Sequence, residues 1–285
     1  MPPKLALPAG ATLLLCACLL ALLHPDSHSI SARTASSSHL PRLPKVILWA
    51  WERPEDLRFL APQRAGVAFL AQTILLPSTS SRLTLRPRLQ LLRTAPSAPL
   101  VAVVRIESPA ASESFAPPDV SDEVRGQIAT QIAAMQDLPG VREVQIDFDA
   151  TTSQRTFYFA LLQDVRQKLR RDMPLSITAL ASWCIGDPWL NQLPPGTIDE
   201  AVPMLFRMSA DASAVGHFVE SGREFTAVAC RGSLGVSTDE PFLHPLATRQ
   251  RLTRPSFRGE KRIYVFAPGA WTPAAANRVL QEWQP

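Results

Sequence analysis

The sequence predicts an α/β fold, a (β/α)8 barrel, on three observations. Eight short, near-continuous apolar runs recur between residues 45 and 267, the pattern of parallel strands buried on both faces. Stretches with apolar residues at helical spacing separate several of them. No glycine-rich phosphate turn of the GxGxxG kind follows the first run, which disfavours the alternative, a doubly wound open sheet. The chain has 285 residues, 46% hydrophobic and 19% charged, enough for one large domain or two small ones.

The elements follow in order. The runs are 45–51 (KVILWAW), 66–75 (GVAFLAQTIL), 100–106 (LVAVVRI), 141–149, 175–182 (LSITALAS), 201–208 (AVPMLFRM), 225–230 (FTAVAC) and 262–267 (RIYVFA). Before the fourth, Ser121-Asp122-Glu123 places a cap and two acids ahead of Val124, Ile128, Ile132 and Met135, and Pro139-Gly140 ends that helix. After it, 152–171 carries Tyr158, Leu161, Leu162, Val165 and Leu169 on one face, with shorter helices predicted at 211–221 and 273–283. Two connections depart from the ideal barrel. The second-to-third connection, 76–99, holds RLTLRPRLQLLR, which alternates like a short hairpin. The seventh-to-eighth, 231–261, is a long loop with Pro241, Pro245 and Pro255. Extra loops on a barrel often build its binding face.

Residues 1–32 read as a targeting segment. Lys4 is the only early charge, and 11–23 (ATLLLCACLLALL) is an apolar run of signal-peptide length, too short for an ordinary membrane span. The prediction is a periplasmic or secreted protein, held in the inner membrane by 11–23 only if that segment stays uncleaved. A linker at 33–44 and a barrel domain at 45–285 follow. Cys16 and Cys18 would leave with the signal. Cys184 and Cys230 then remain, and an even pair in an exported chain predicts a disulfide, the alternative being two unrelated buried thiols. Leaving strands five and seven, they are expected to meet over the barrel mouth. The net charge is +4 with scattered basic residues. Without a basic stripe interleaved with aromatics, no nucleic-acid partner is expected.

Alternation along the strands then orients the side chains. In strand four (EVQIDFDA), Val144, Ile146 and Phe148 fit the helix side, so Gln145, Asp147 and Asp149 point inward. In strand three, Ala102, Val104 and Ile106 pack outward, leaving Arg105 and Glu107 inside. In strand six, Val202, Met204 and Phe206 are assigned outward and Arg207 inward. Strand five can place Ser176, Thr178 and Ser182 inward. The expected result is a polar cluster at the C-terminal mouth: Arg105, Glu107, Asp147, Asp149 and Arg207. That end of a barrel is where catalytic groups sit. A satisfied ion network is the structural alternative, since buried charges demand partners.

Tryptophans and acids join the cluster from strand ends: Trp49, Trp51 and Glu52 after strand one, Trp183, Asp187 and Trp189 in SWCIGDPWL, Asp239 and Glu240 in STDEP, and Trp271. Aromatic rings over carboxylates suit sugar, and paired carboxylates supply the acid and the nucleophile or base of glycoside hydrolysis. The candidate catalytic residues are Asp147, Asp149, Asp187 and Glu52. Trp51, Trp183, Arg105, Glu107, Arg207 and Asp239 are candidate substrate contacts. The one HxxxH pair, His24 and His28, lies in the segment read as a targeting signal, and His39, His217 and His244 stand apart, so no metal or other cofactor is expected. A GxSxG elbow is also lacking.

The stretch EVQIDFDAT followed by TFYFALLQDVRQKL resembles the fourth strand and helix of glycoside-hydrolase-like barrels. Against the DxxDxDxE pattern of family 18 chitinases, Asp147 and Asp149 match the second and third acids. Val144 stands at the first position and Thr151 at the last, where that family keeps its catalytic acid. Over about residues 45–271, VQIDFDAT, LSITALASWCIGDPWL, DEAVPMLFRM and CRGSLGVSTDEP are similar to a bacterial family described only as a domain of unknown function, DUF3142. The resemblance implies an exported barrel without assigning an activity. The function expected is that of a glycoside-hydrolase-like enzyme acting on a polysaccharide. The alternatives are a non-catalytic glycan-binding or envelope protein, and an unrelated hydrolase on the same scaffold.

Overall fold

The computed structural model describes residues 43–77, 83–108, 120–208, 212–240 and 261–283. The expected targeting segment, 1–32, lies outside them, as does nearly all of the 33–44 linker. No helix among the described residues is long and apolar enough to cross a membrane.

The strands are β1 (Val46–Ala50), β2 (Glu55–Leu57), β3 (Ala65–Leu75), β4 (Thr84–Pro87), β5 (Leu92–Thr94), β6 (Leu100–Glu107), β7 (Val141–Asp147), β8 (Leu175–Leu180), β9 (Glu200–Met204), β10 (Ser233–Ser237) and β11 (Arg262–Phe266). Eight of them, all except β2, β4 and β5, run parallel, and the ring closes because β1 pairs with both β3 and β11. This is the predicted (β/α)8 barrel. Helices α1 (Asp122–Ala133), α2 (Arg155–Lys168), α3 (Ala181–Ile185), α4 (Ala212–Ser221) and α5 (Pro273–Trp283) follow β6, β7, β8, β9 and β11.

Local chemistry sets these elements as expected. Ser121 Oγ accepts the Val124 amide at 3.3 Å, and Asp122 and Glu123 sit in the first turn of α1, where they meet the positive end of the helix dipole. The buried faces are Val124, Ile128, Ala129 and Ile132 on α1, and Tyr158, Leu161, Leu162 and Val165 on α2. They form one large core with the outward faces of the strands. A smaller cluster of Ile47, Trp49, Ala68, Val101, Val103, Val202, Phe206 and Tyr264 fills the barrel.

The seventh strand is displaced from its predicted place. FTAVAC forms a loop and a 3-10 turn, Val228–Arg231, with Phe225, Ala227 and Cys230 buried in the helix-side core. The strand is Ser233–Ser237, SLGVS. Its glycine hid it, since glycine weakens a strand signal. Gly235 is there for space: a Cβ would lie 3.3 Å from Met204 Sδ, Pro203 O and Trp49 Cη2. The long loop accordingly shrinks to 238–261, of which 241–260 lies outside the described residues. In the 76–99 connection, the predicted hairpin is two strands with different partners. β4 pairs antiparallel with β3, and β5 pairs parallel with β2. Arg88 pins this excursion to the first strand's end, donating to the carbonyls of Trp51 and of Ala50 at 3.3 Å and Arg53 at 2.7 Å.

The expected disulfide is present. Cys184 in α3 is bonded to Cys230, with a Cα–Cα separation of 5.8 Å. Both residues are buried in the helix-side core, so the bridge clamps α3 to the turn before β10 and does not span the mouth.

Candidate functional site

Strand β7 carries the site. Gln145 accepts the Trp49 indole N–H at 3.3 Å and donates to Ser176 Oγ at 3.1 Å. One step up the same face, Asp147 Oδ1 accepts the Thr178 hydroxyl at 2.7 Å. Val144, Ile146 and Phe148 pack in the helix-side core, as do Ala102, Val104 and Ile106 of β6. Arg105 and Glu107 come together at the end of β6, 3.3 Å apart.

The phase expected for strand six is reversed. Val202 and Phe206 fill the barrel with Met204 against them, while Ala201 and Leu205 face the helices. Every position of AVPMLF is apolar, so alternation there contains nothing to set the phase. The strand ends at Met204, and Arg207 emerges with a left-handed φ of 53°. Ser182 likewise leaves the inward register, because β8 stops at Leu180 and α3 begins.

The mouth of the barrel holds a cavity of about 240 Å³ lined by Trp49, Trp51, Arg105, Asp147, Asp149, Thr178, Leu180, Met204, Phe206, Arg207, Phe266 and Val103. Five of the candidates read from sequence, Trp51, Arg105, Asp147, Asp149 and Arg207, thus line one space. Glu107 pairs with Arg105 beside it. Four others lie elsewhere. Glu52 sits exposed in the bend after β1. Asp187 is ion-paired with Arg155. Trp183 is buried in the helix-side core, edge-on to Trp189 at 5.1 Å, because the turn into α3 carries its ring away from the barrel. Asp239 reaches Arg207 at 3.7 Å but lines a neighbouring cavity of about 450 Å³ with Trp271. Trp271 itself is buried and donates to Trp49 O at 2.9 Å.

The mouth's electrostatics favour neutral carboxyls. Burial pushes Asp147 up to about 6, with Asp149 and Glu107 acting in the same direction and Thr178 and Arg105 against it. The cavity walls raise Asp149 too, while Arg105 opposes. Thr151, just beyond, opens the turn into α2. Its amide donates to Gln154 Oε1 at 2.9 Å and its hydroxyl shares a hydrogen bond with Ser153 at 3.0 Å. Among the described residues no cluster of three or more His, Cys, Asp or Glu side chains is placed to hold a metal ion.

A second polar cluster, unread in the sequence, lies deeper, toward the N-terminal end of the barrel. Glu143 and Glu200 are almost wholly buried. Arg262 Nη1 lies 3.2 Å from Glu143 Oε2 and 3.0 Å from Glu200 Oε2. The Tyr264 hydroxyl is 3.0 Å from both acids, and Ser176 donates to Glu143 at 2.5 Å. Glu143 shares a face with Gln145 and Asp147, so the same alternation contained its signal. Two carboxylates against one arginine leave an excess negative charge. Burial, then the charge of Glu200, lift Glu143 to about 7.

These shifts make stability depend on pH. Glu143 and Asp147 have folded values near 7 and 6, above the usual carboxylate values of about 4 in an unfolded chain. The folded state therefore binds more protons between those limits, and stability falls as pH rises through them. The thermal midpoint should drop from mildly acidic to neutral pH. Glu143→Gln should flatten that slope, and an unchanged slope would refute the assignment.

Residues 96–218 match the model of a family described as Domain of unknown function (DUF3142), a shorter span than the sequence motifs suggested. Among solved structures, the presumed chitinase A of Streptomyces coelicolor superposes with a TM-score of 0.53 at 12% identity, over 84% of this chain and 97% of that one. A family 18 chitinase from Crocus vernus gives 0.47 at 11% identity, over 84% and 96%. A GH113 β-1,4-mannanase gives 0.44 at 8%, over 85% and 99%. At these identities the likeness is one of fold. No curated protein matches the chain in sequence.

Proposed function

We propose that this barrel takes a glycan in its mouth and acts on it through Asp147 and Asp149. The observation that carries the reading is a carboxyl of raised pKa, Asp147, at the floor of an aromatic-lined cavity with a second carboxyl, Asp149, at its rim. Glycoside cleavage needs one protonated and one ionised carboxyl on the same bond. Asp147, the more buried, is suited to hold its proton in mildly acidic solution. Asp149 is then the base or nucleophile. Glu52 and Asp187, also candidates for the acid, lie outside the cavity, so the acid role falls to Asp147. Trp51, Phe206 and Phe266 offer apolar faces for sugar rings. The fold shared with a protein described as a chitinase supports the same substrate class.

The test is reducing-sugar release from a panel of polysaccharides. Asp149→Asn and Asp147→Asn should each reduce the rate by about 10²-fold or more, with thermal midpoints within about 2 °C of the parent at neutral pH. Turnover that survives both substitutions rules the pair out. One observation favours a second reading, binding without turnover: Thr151, at the position where family 18 keeps its acid, has its hydroxyl engaged with Ser153. Glycan binding without release across the panel would select it. We also propose that the chain is exported, which the apolar run 11–23 and the disulfide support. Recovery of the protein from the cytoplasmic fraction with two free thiols would contradict this.

A further inference from the structure

The mouth contains two arginines that share a setting. Arg105 lies over the Trp51 ring at 5.7 Å, and Arg207 over the Phe266 ring at 5.2 Å. Neither guanidinium makes a hydrogen bond within the described residues. Arg105 is ion-paired with Glu107 at 3.3 Å and more distantly with Asp147 at 4.0 Å, and Arg207 with Asp239 at 3.7 Å. Several other arginines differ, although Arg155 and Arg223 also lie over rings, those of Trp189 and Phe218, outside this cavity. Arg53, Arg88, Arg125, Arg166 and Arg170 each commit their forks to two or more acceptors.

Stacking holds a guanidinium plane while leaving its N–H edge free. Both side chains line the 240 Å³ cavity. Arg207 is also held at the backbone. It is the only non-glycine residue with positive φ among the described residues, and its amide is bonded to Glu240 Oε1 at 2.9 Å. Such strain persists where the surroundings impose it, often at binding sites. We propose that Arg105 and Arg207 form a carboxylate clamp, and that the glycan taken by the mouth is acidic, a sugar bearing a carboxylate such as a uronic acid. This rests on the glycan reading above and narrows its substrate class. Planar forks meet carboxylates through paired N–H bonds, a geometry that a neutral hydroxyl cannot match. The aspartates do not pre-empt the clamp. Asp147 is bonded to Thr178, and its side chain is only 17% exposed against 37% and 58% for Arg105 and Arg207.

Calorimetric titration of the full chain, at physiological ionic strength, would compare trigalacturonate and trimannuronate with chitotriose and mannotriose. The acidic trisaccharides should bind about tenfold or more tighter, the size of a charge-assisted pair. Arg105→Ala and Arg207→Ala should each remove most of that difference, and Arg207→Lys should not restore it, since lysine keeps the charge without the fork. Circular dichroism confirms that each variant folds. Arg93→Ala on β5 controls for general attraction to a basic protein. Equal binding of acidic and neutral sugars overturns the clamp and leaves the glycan reading standing, and an equal loss in Arg93→Ala does the same. If none of the four binds, both fall together.

Discussion

Replacing Arg262 with methionine is expected to destabilise the barrel by about 3–5 kcal/mol, the cost of stranding a buried charge without its partner. The side chain of Arg262 is 11% exposed, and its Nη1 is shared by Glu143 and Glu200. Methionine keeps the apolar stem but not the guanidinium, so comparison with a variant that also neutralises both acids separates the loss of charge from the loss of volume. Without Arg262, the Tyr264 and Ser176 hydroxyls still face the two acids. Tyr264 has a single proton for both, and its phenol is already pushed well above its usual pKa by burial and by these carboxylates. The pair would then take up a further proton or the barrel would open. Urea titration at neutral pH measures the loss. The triple variant Arg262→Met, Glu143→Gln, Glu200→Gln should regain part of it, because no buried charge is then left without a partner. A single Arg262→Met variant as stable as the parent would show that water or an alternative cation reaches the site. The rise with pH has the same sign as the Glu143 titration: the variant should suffer most at neutral pH, where the acids are least protonated, and least below about pH 4.

How far the sequence revealed this barrel follows from which residues carry contrast. Strand four was legible because polar and apolar residues alternate strictly from Glu143 to Asp149, and that contrast placed Asp147 on the inner face. Strand three was legible because its two charges, Arg105 and Glu107, end an apolar run on one face. Strand six had no such contrast, and its phase was read backwards. Strand seven failed differently. The stronger β pattern, FTAVAC, folds as a buried turn clamped by Cys230, while the weaker SLGVS enters the sheet because Gly235 makes room for Trp49. Local propensity cannot report a space made by a side chain far along the chain. The Glu143–Glu200–Arg262 cluster joins three strands distant in sequence, and its charges sit at the first or third residue of each, where a predicted boundary is least certain. The mouth was assembled in part for the same reason. Arg105 and Asp147, inside strands with polar–apolar contrast, kept their register, while Glu52 and Asp187, in the irregular backbone after strands, and Trp183, in α3, were carried away from the cavity.

The disulfide carries the second large effect. Cys184 and Cys230 are separated by 46 residues, and opening a loop of that size releases unfolded-chain entropy worth about 4 kcal/mol at 25 °C. The native contacts around the bridge do not depend on it. The Thr226 amide and hydroxyl both bond to Cys184 O, at 2.9 and 3.0 Å, and the hydroxyl also reaches Ile185 O at 2.8 Å. Asn191 spans the same gap, donating to Thr226 O and accepting from the Val228 amide, each at 3.2 Å. These bonds would hold α3 against the 228–231 turn in a Cys184→Ala, Cys230→Ala variant, so its folded structure should be retained. The effect then lies mainly in the unfolded state. The variant should unfold at lower urea, and its denaturant slope should rise, because the unlinked chain expands further and exposes more surface. A lowered midpoint with an unchanged or smaller slope would instead place the loss in native packing. Because both sulfurs lie in the helix-side core, away from Asp147, Asp149, Arg105 and Arg207, the glycan affinity proposed for the mouth should stay at the parent level while stability falls. Loss of binding and of stability together would mean that α3 and the β10 approach hold the mouth in shape, and that the bridge, though distant, is part of what positions it.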